Sequence, residues 1–213
     1  MNMNNILQKK SREMSYLLRH EPEDLKIDKN GYVLVTDLLK KLNISLQDLD
    51  EIVSDNDKKR FAFNTSKDMI RASQGHSIKV DLQLKATRPP RVLYHGTTDE
   101  NYQKIKKTGI DKVKRLQVHL SDDYKTAYSV GKRYSKNKEP LILEIDSAKM
   151  NTDGFKFLKS ANDVWMTDNV PAKYIRVPEI SDITGYPKCK DCDNDKLNGW
   201  SSHCKSCGMP IVY

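Results

Sequence analysis

RFAFNTSKDMIRAS, residues 60–73, holds two short runs, RFAFN and MIRAS, on either side of the turn-like tetrapeptide TSKD. That layout predicts a β-hairpin. The chain before it is helical in character. Arg12 to Leu18 place Met14, Leu17 and Leu18 on one apolar face, and Pro22 ends the helix. GYVLV (31–35) is β-like, and Thr36 is expected to cap a helix carrying Leu38, Leu39 and Leu42. Ser45 and Asp48 make a capping-box-like pattern before Leu49, Ile52 and Val53. Short helices followed by a hairpin predict a winged-helix-like module over residues 1–85.

Beyond the hairpin, ATRPPRV has two prolines, two arginines and no periodicity, so residues 86–91 are expected to be a linker. A second block, 92–182, alternates short elements. VLYHGT reads as a strand and DENYQKIKKTG as a helix stopped by Gly109. VHLS, the helical DDYKTAYSVGKRY, the strand PLILEID, VWMTD and YIRVPEI follow. Many short strands with few helices predict an α+β class. ITGYP (183–187) sets off a cysteine-rich tail, 186–213.

The 213 residues allow one large domain or two small ones. With 37% hydrophobic and 31% charged residues, a core is possible but lean, and the net charge of +8 suits a polyanionic partner. No stretch approaches the roughly 20 apolar residues of a membrane span. The opening MNMNNILQKKS lacks an apolar signal core, so a cytoplasmic protein is expected.

All four cysteines fall in the last 25 residues, as CKDC (189–192), eleven residues, then CKSC (204–207). A disulfide scaffold spreads its bridges along the chain. Two CxxC knuckles at this spacing instead predict a structural zinc ribbon ligated by Cys189, Cys192, Cys204 and Cys207. Zinc would supply fold energy that so short a segment cannot draw from a core. Two disulfides or free thiols are the competing readings. Four lysines against three aspartates leave the tail at only +1, so it is no simple basic clamp. Trp200 could stack on a base, but packing on the knuckles is the plainer role.

Four of the five histidines lie near cations, hydroxyls or glycines at element ends. SREMSYLLRHEPEDL (11–25) puts Arg19 and His20 where a helix runs out. Such a pair is either a solvated terminus or a phosphate grip. IRASQGHSIKVDL (70–82) sets Arg71 before Gln74, His76 and Ser77. LYHGTT (93–98) carries His95, Gly96 and Thr97, VHLS carries His119 and Ser121, and VGKRY carries Arg133. Each residue has a plain structural reading, and their joint pattern is more telling than any one alone.

In order along residues 10–178, MSYLLRHEP, GYVLVTDLL, KKRFAFN, IRASQGHSIKVDL, LYHGT, VHLS, the VGKR helix, LILEID and VWMTDNVPAKYI closely resemble the RNA 2′-phosphotransferases of the KptA family. The resemblance implies an N-terminal winged-helix-like lobe and a C-terminal ADP-ribosyltransferase-like lobe, with RNA phosphate and NAD in the cleft between them. The cysteine tail lies outside the family core. Implied too is a two-step reaction. An RNA 2′-phosphate attacks the anomeric carbon of the nicotinamide ribose and expels nicotinamide. The ribose 2″-hydroxyl then attacks phosphorus, which frees 2′-hydroxyl RNA and ADP-ribose 1″,2″-cyclic phosphate. By motif, the resemblance assigns Arg19, His20, Arg71 and Arg133 as the catalytic set. The arginines would grip the transferring phosphate, for which guanidinium forks are suited. His20 would handle the 2″-hydroxyl proton. Gln74, His76 and Ser77 would shape the phosphate pocket. His95, Gly96, Thr97, His119 and Ser121 would receive NAD, with Gly96 permitting close backbone approach.

The family often has His-Gly after the C-lobe arginine, where this chain has Tyr134 and Ser135, and Lys132 is adjacent. Two other functions compete. One is a one-step ADP-ribosyltransferase acting on RNA phosphate ends. The other is a non-catalytic zinc-ribbon RNA-binding protein. The expected partner is RNA bearing a 2′-phosphate, with spliced tRNA precursors the family's known target, and a monomer is the expected state.

Overall fold

The computed structural model describes residues 3–54, 59–135 and 138–178. The zinc-ribbon expectation, with Cys189, Cys192, Cys204 and Cys207, and the reading of Trp200 lie outside the described residues. In chain order the elements are α1 (Met3–Arg19), β1 (Val33–Leu34), α2 (Val35–Leu42), α3 (Leu46–Ser54), β2 (Phe61–Phe63), β3 (Met69–Ala72), β4 (Leu93–Thr97), α4 (Asp99–Thr108), β5 (Ile110–Asp111) and β6 (Val118–Leu120). Then follow α5 (Tyr124–Lys132), β7 (Leu141–Ile145), α6 (Ser147–Thr152), β8 (Leu158–Lys159), β9 (Trp165–Thr167), β10 (Asn169–Val170), a 3₁₀ turn (Ala172–Tyr174) and β11 (Ile175–Arg176). This is a mixed α+β chain.

The described residues divide into two compact units, and the division is not linear. The first takes the chain up to Thr87 together with Asp111–Val118 and Phe157–Asp168. The second takes Arg88–Ile110, His119–Lys156 and the described residues from Asn169. Thr87 donates its backbone N–H to the Phe157 carbonyl at 2.8 Å, and Ala86 bridges Leu158, so the stretch just before the two prolines is pinned within the first unit.

In the first unit, β1, β3 and β2 form an antiparallel sheet in that order, with Phe61 opposite Ala72 and Phe63 opposite Ile70. The hairpin expected around TSKD is therefore present. Helices α1, α2 and α3 and this sheet share one core in which Met14, Leu18, Leu38, Leu42, Leu49 and Ile70 are sealed from solvent. Ser45 and Asp48 form the expected reciprocal cap: the Asp48 N–H donates to Ser45 Oγ at 3.1 Å and the Ser45 N–H to Asp48 Oδ2 at 2.9 Å. Thr36 is not a cap. Helix α2 starts two residues earlier, after Leu34, because the Asp68 carbonyl takes the Val35 N–H at 2.9 Å. The orphan donor is thus satisfied by backbone rather than by a hydroxyl.

In the second unit, β11, β7 and β4 form an antiparallel sheet in that order. Helix α5, capped by Asp123, packs on β4 at Gly96. A Cβ at Gly96 would lie 2.1 Å from the Ala127 carbonyl oxygen and 2.8 Å from the Gly131 nitrogen. Two facing glycines thus let helix backbone meet strand backbone, and no other residue fits at Gly96. Gly109 ends α4 as expected, with φ +86°, and its backbone packs against Val170 and Pro171.

Candidate active site

The site in the first unit is built where α1 ends. His20 and Glu21 close the last turn onto the Tyr16 carbonyl. The Arg19 carbonyl accepts the Ser77 N–H at 2.9 Å, so the Gln74–Ser77 turn docks on the helix terminus. His20 Nδ1 lies 3.0 Å from Ser77 Oγ. When the Ser77 hydroxyl points at the Arg19 carbonyl, 3.5 Å away, Oγ accepts from the Nδ1–H and the His20 lone pair sits on Nε2. Burial, then the Arg19 and Arg115 charges, hold the His20 pKa below its ordinary value. The ring is therefore neutral near neutral pH and able to accept a proton.

Arg19 is the centre of the arrangement. Its Nε and Nη2 are buried and have no hydrogen-bond partner. Burial, then repulsion from Arg60 and Arg115, bring the guanidinium down to about 10. A buried cation that faces two more cations and lacks an acceptor is an arrangement an anion would complete. Its unfilled donors form the fork that matches phosphate oxygens.

Arg60 and Arg115 were not singled out from the sequence. Backbone contacts explain how both reach the site. The Arg60 carbonyl accepts the Ser73 N–H at 2.9 Å, which puts Arg60 at the hairpin end where the chain enters the Gln74–Ser77 turn. The Leu116 N–H donates to the His76 carbonyl at 3.1 Å, bringing Arg115 beside the same turn. The hairpin register could have found Arg60, since a pairing of Phe61 with Ala72 sets Arg60 opposite Ser73. Nothing local marks Arg115, which arrives on a segment that returns from far along the chain.

Arg71 lies on β3 with its guanidinium over the Tyr32 ring, 4.6 Å from the centroid, and its Nη1 donates to the Asn30 carbonyl at 3.1 Å. His76 is 2% exposed, and its Nε2 has no hydrogen-bond partner. Burial, then Arg19, His20 and Arg71, lower its pKa to about 4, so it stays neutral. Gln74 is half-buried at the start of the turn and Ser77 is exposed. Arg19, His20, Arg71, Gln74, His76 and Ser77 thus all belong to the first unit.

The remaining sequence candidates belong to the second unit. His95 Nδ1 donates to the His119 carbonyl at 3.2 Å, which fixes that ring's tautomer when it is neutral. Tyr94 and Ser121 exchange backbone hydrogen bonds of 2.8 and 2.9 Å, so the strand bearing His95 and the segment bearing His119 are held side by side. Thr97 is buried, while His95, His119 and Ser121 are half-buried. Two imidazoles and two hydroxyls on adjacent segments suit the ribose, amide and phosphate groups of a dinucleotide. Gly96 has a packing role here, since α5 fills the space beside it. Arg133 is exposed at the end of α5. Among the described residues no cluster of three or more His, Cys, Asp or Glu could hold a metal ion, and no helix is long and apolar enough to cross a membrane.

A buried, unfilled guanidinium fork among cations, with a neutral imidazole beside it, is an arrangement suited to an anion such as phosphate. Comparison with known proteins makes the reading specific. Residues 6–169 match the family described as RNA 2′-phosphotransferase, Tpt1 / KptA family, and the chain belongs to that family of transferases. It is 46% identical over 175 residues to the "Probable RNA 2'-phosphotransferase" of Fusobacterium nucleatum, covering 79% of this chain and 97% of that protein. It is 47% identical over 178 residues to the like-named protein of Flavobacterium johnsoniae, covering 80% and 96%. The corresponding figures for the Hahella chejuensis protein are 45% over 186 residues, covering 84% and 98%.

Proposed function

We propose that the protein removes an internal RNA 2′-phosphate with NAD as co-substrate, in the manner of tRNA-splicing 2′-phosphotransferases. The substrate phosphate displaces nicotinamide from the ribose anomeric carbon, giving an ADP-ribosylated RNA phosphate. The 2″-hydroxyl then displaces RNA from phosphorus, yielding 2′-hydroxyl RNA and ADP-ribose 1″,2″-cyclic phosphate. The observation that carries the reading is the pair of buried, unpartnered guanidinium nitrogens of Arg19, with Arg60 and Arg115 as its neighbouring charges.

Each residue then has a task. Arg19 binds the 2′-phosphate through its fork, and Arg60 and Arg115 neutralise the rest of its charge. Arg71 and Arg133 are further candidates from the sequence. Arg71 is already engaged by Tyr32 and Asn30, so it acts first on the shape of the Gln74–Ser77 pocket. His20, oriented by Ser77, takes the 2″-hydroxyl proton through Nε2. His95, Thr97, His119 and Ser121 hold NAD, with Gly96 seating their strand, on an ADP-ribosyltransferase-like unit. The three helices and antiparallel hairpin of the first unit support a winged-helix-like RNA lobe. The CxxC spacing of Cys189, Cys192, Cys204 and Cys207, outside the described residues, supports a structural zinc ribbon, and the reading is of a monomer acting in the cytoplasm.

The test is a short RNA with one internal 2′-phosphate, followed by mass with and without NAD. NAD-dependent loss of the phosphate with cyclic product is expected. A stable ADP-ribosyl adduct would establish the one-step enzyme instead, and no change would favour the binding module. Arg60→Ala and Arg115→Ala are each expected to lose on the order of a hundredfold in turnover. His20→Ala is expected to accumulate ADP-ribosylated RNA; equal loss of both steps would remove its assigned role.

A further inference from the structure

Helix α1 carries two stripes. Leu7, Met14, Leu17 and Leu18 are buried in the core. Gln8, Ser11, Arg12, Ser15, Tyr16 and Arg19 recur at intervals of three, one, three, one and three residues, so they line a second, polar face. That face, with Glu51 and Ile52 of α3 and with Arg60, lines an open cavity of about 600 Å³ within the first unit. The cavity is far larger than one phosphate needs and falls in the range that takes a nucleotide-sized ligand. It also includes Arg19, His20 and Arg60, so it is continuous with the phosphate site.

Two of its residues have no part in the chemistry above. Arg12 is exposed and makes no ion pair among the described residues. It stands seven residues from Arg19, two turns or about 10 Å along the helix, a spacing that suits a second anionic group. Tyr16 is 51% exposed, so its ring is open to a ligand. Its hydroxyl donates to Glu21 at 2.6 Å, and its ring lies 5.7 Å from that of His20, so it is held in place at the cavity wall.

We propose that this cavity is the RNA subsite beside the 2′-phosphate: Arg12 binds a neighbouring backbone phosphate and the Tyr16 ring stacks on the adjoining base. Glu51, the carboxylate on the lining, offers an acceptor to a base amine or ribose hydroxyl. The proposal takes its ligand chemistry from the phosphotransferase reading, but its test does not depend on turnover.

The full chain is titrated, without NAD, onto a fluorescent RNA oligomer bearing one internal 2′-phosphate, over a series of salt concentrations. Arg12→Ala is expected to bind roughly tenfold more weakly at low salt. Its slope of log affinity against log salt should be shallower by about 0.7, the value of one phosphate contact on a single strand. Arg12→Lys should restore the slope. Tyr16→Ala should lose roughly tenfold in affinity with the slope unchanged, since stacking releases no counterions. Wild-type affinity and slope in both alanine variants would overturn the subsite. An Arg12→Ala variant that weakens binding without changing the slope would overturn the phosphate assignment. RNA bound through Arg12 and Tyr16 but never dephosphorylated with NAD would uphold the subsite and refute the transferase reading.

Discussion

Replacing Arg19 by methionine should make the protein more stable and inactive at once. The Arg19 guanidinium is held down to about 10 by burial and by Arg60 and Arg115, and two of its nitrogens have no acceptor. Each factor of ten in that equilibrium is about 1.4 kcal/mol, so the charged group carries a cost on the order of 3 kcal/mol in the unliganded fold. The cost is fully present below about 10 and is relieved only above it, so it is constant across neutral pH. Methionine keeps much of the buried stem and removes the charge. Part of the gain is lost to imperfect packing, which leaves an expected net stabilisation of about 1–2 kcal/mol, seen as a rise of a few degrees in Tm. Inorganic phosphate supplies the converse arm. At about a hundred times its Kd it should stabilise the wild type by about 2.7 kcal/mol and the variant far less. Thermal melts with and without phosphate, alongside the RNA assay, decide the matter. A methionine variant that is clearly less stable than wild type, or that gains as much from phosphate, would refute the account of Arg19 as an unfilled anion site.

His76 predicts a dependence on pH. Its folded pKa of about 4 lies below that of the unfolded chain, so stability is lost as pH falls through that interval. Urea unfolding of the wild type should lose about 2 kcal/mol more than His76→Gln between about pH 7 and about pH 5, and parallel curves would contradict this. Gly96→Ala should destabilise the second unit by about 3 kcal/mol or more, because its Cβ would meet the Ala127 carbonyl; a soluble variant with wild-type Tm would show that α5 can withdraw from β4. Asp48→Ala should lower stability slightly in denaturant titration, because the Ser45 N–H loses its carboxylate acceptor at the start of α3, with RNA turnover unaffected.

What the sequence showed was what local rules determine. The TSKD hairpin, the Ser45–Asp48 cap, the α4 stop at Gly109 and the helix containing Met14, Leu17 and Leu18 depend on neighbours a few residues apart. Helix α6 was missed because its cap, Asp146, directly follows β7 and reads as the strand's last residue, although it accepts the Lys149 N–H at 3.0 Å. Thr36 was misread because a carbonyl from the hairpin does the work expected of its hydroxyl. In the site, the motifs led to Arg19 and His20, whereas Arg60 and Arg115 owe their relevance to backbone bonds with Ser73 and His76. Those bonds are set by register and by chain return, which composition and spacing along one segment do not express.

The threefold origin of the first unit bears on how the protein is made. A ribosome releases residues in order, and domains usually close as soon as their last segment emerges. Here the leading segment contains most of the core and Arg19, yet Arg115 follows only after an excursion through β4 and α4. Phe157, fully buried, comes later still. Until residues near 168 have been synthesised, the first unit lacks a strand pair and part of its interior. The nascent chain therefore carries Arg19, Arg60 and Arg115 on a first unit whose core is still open while His119–Lys156 of the second unit is being made. Such late, long-range closure slows folding, and it ties completion of the first unit's interior to a segment made only after Lys156 of the second unit.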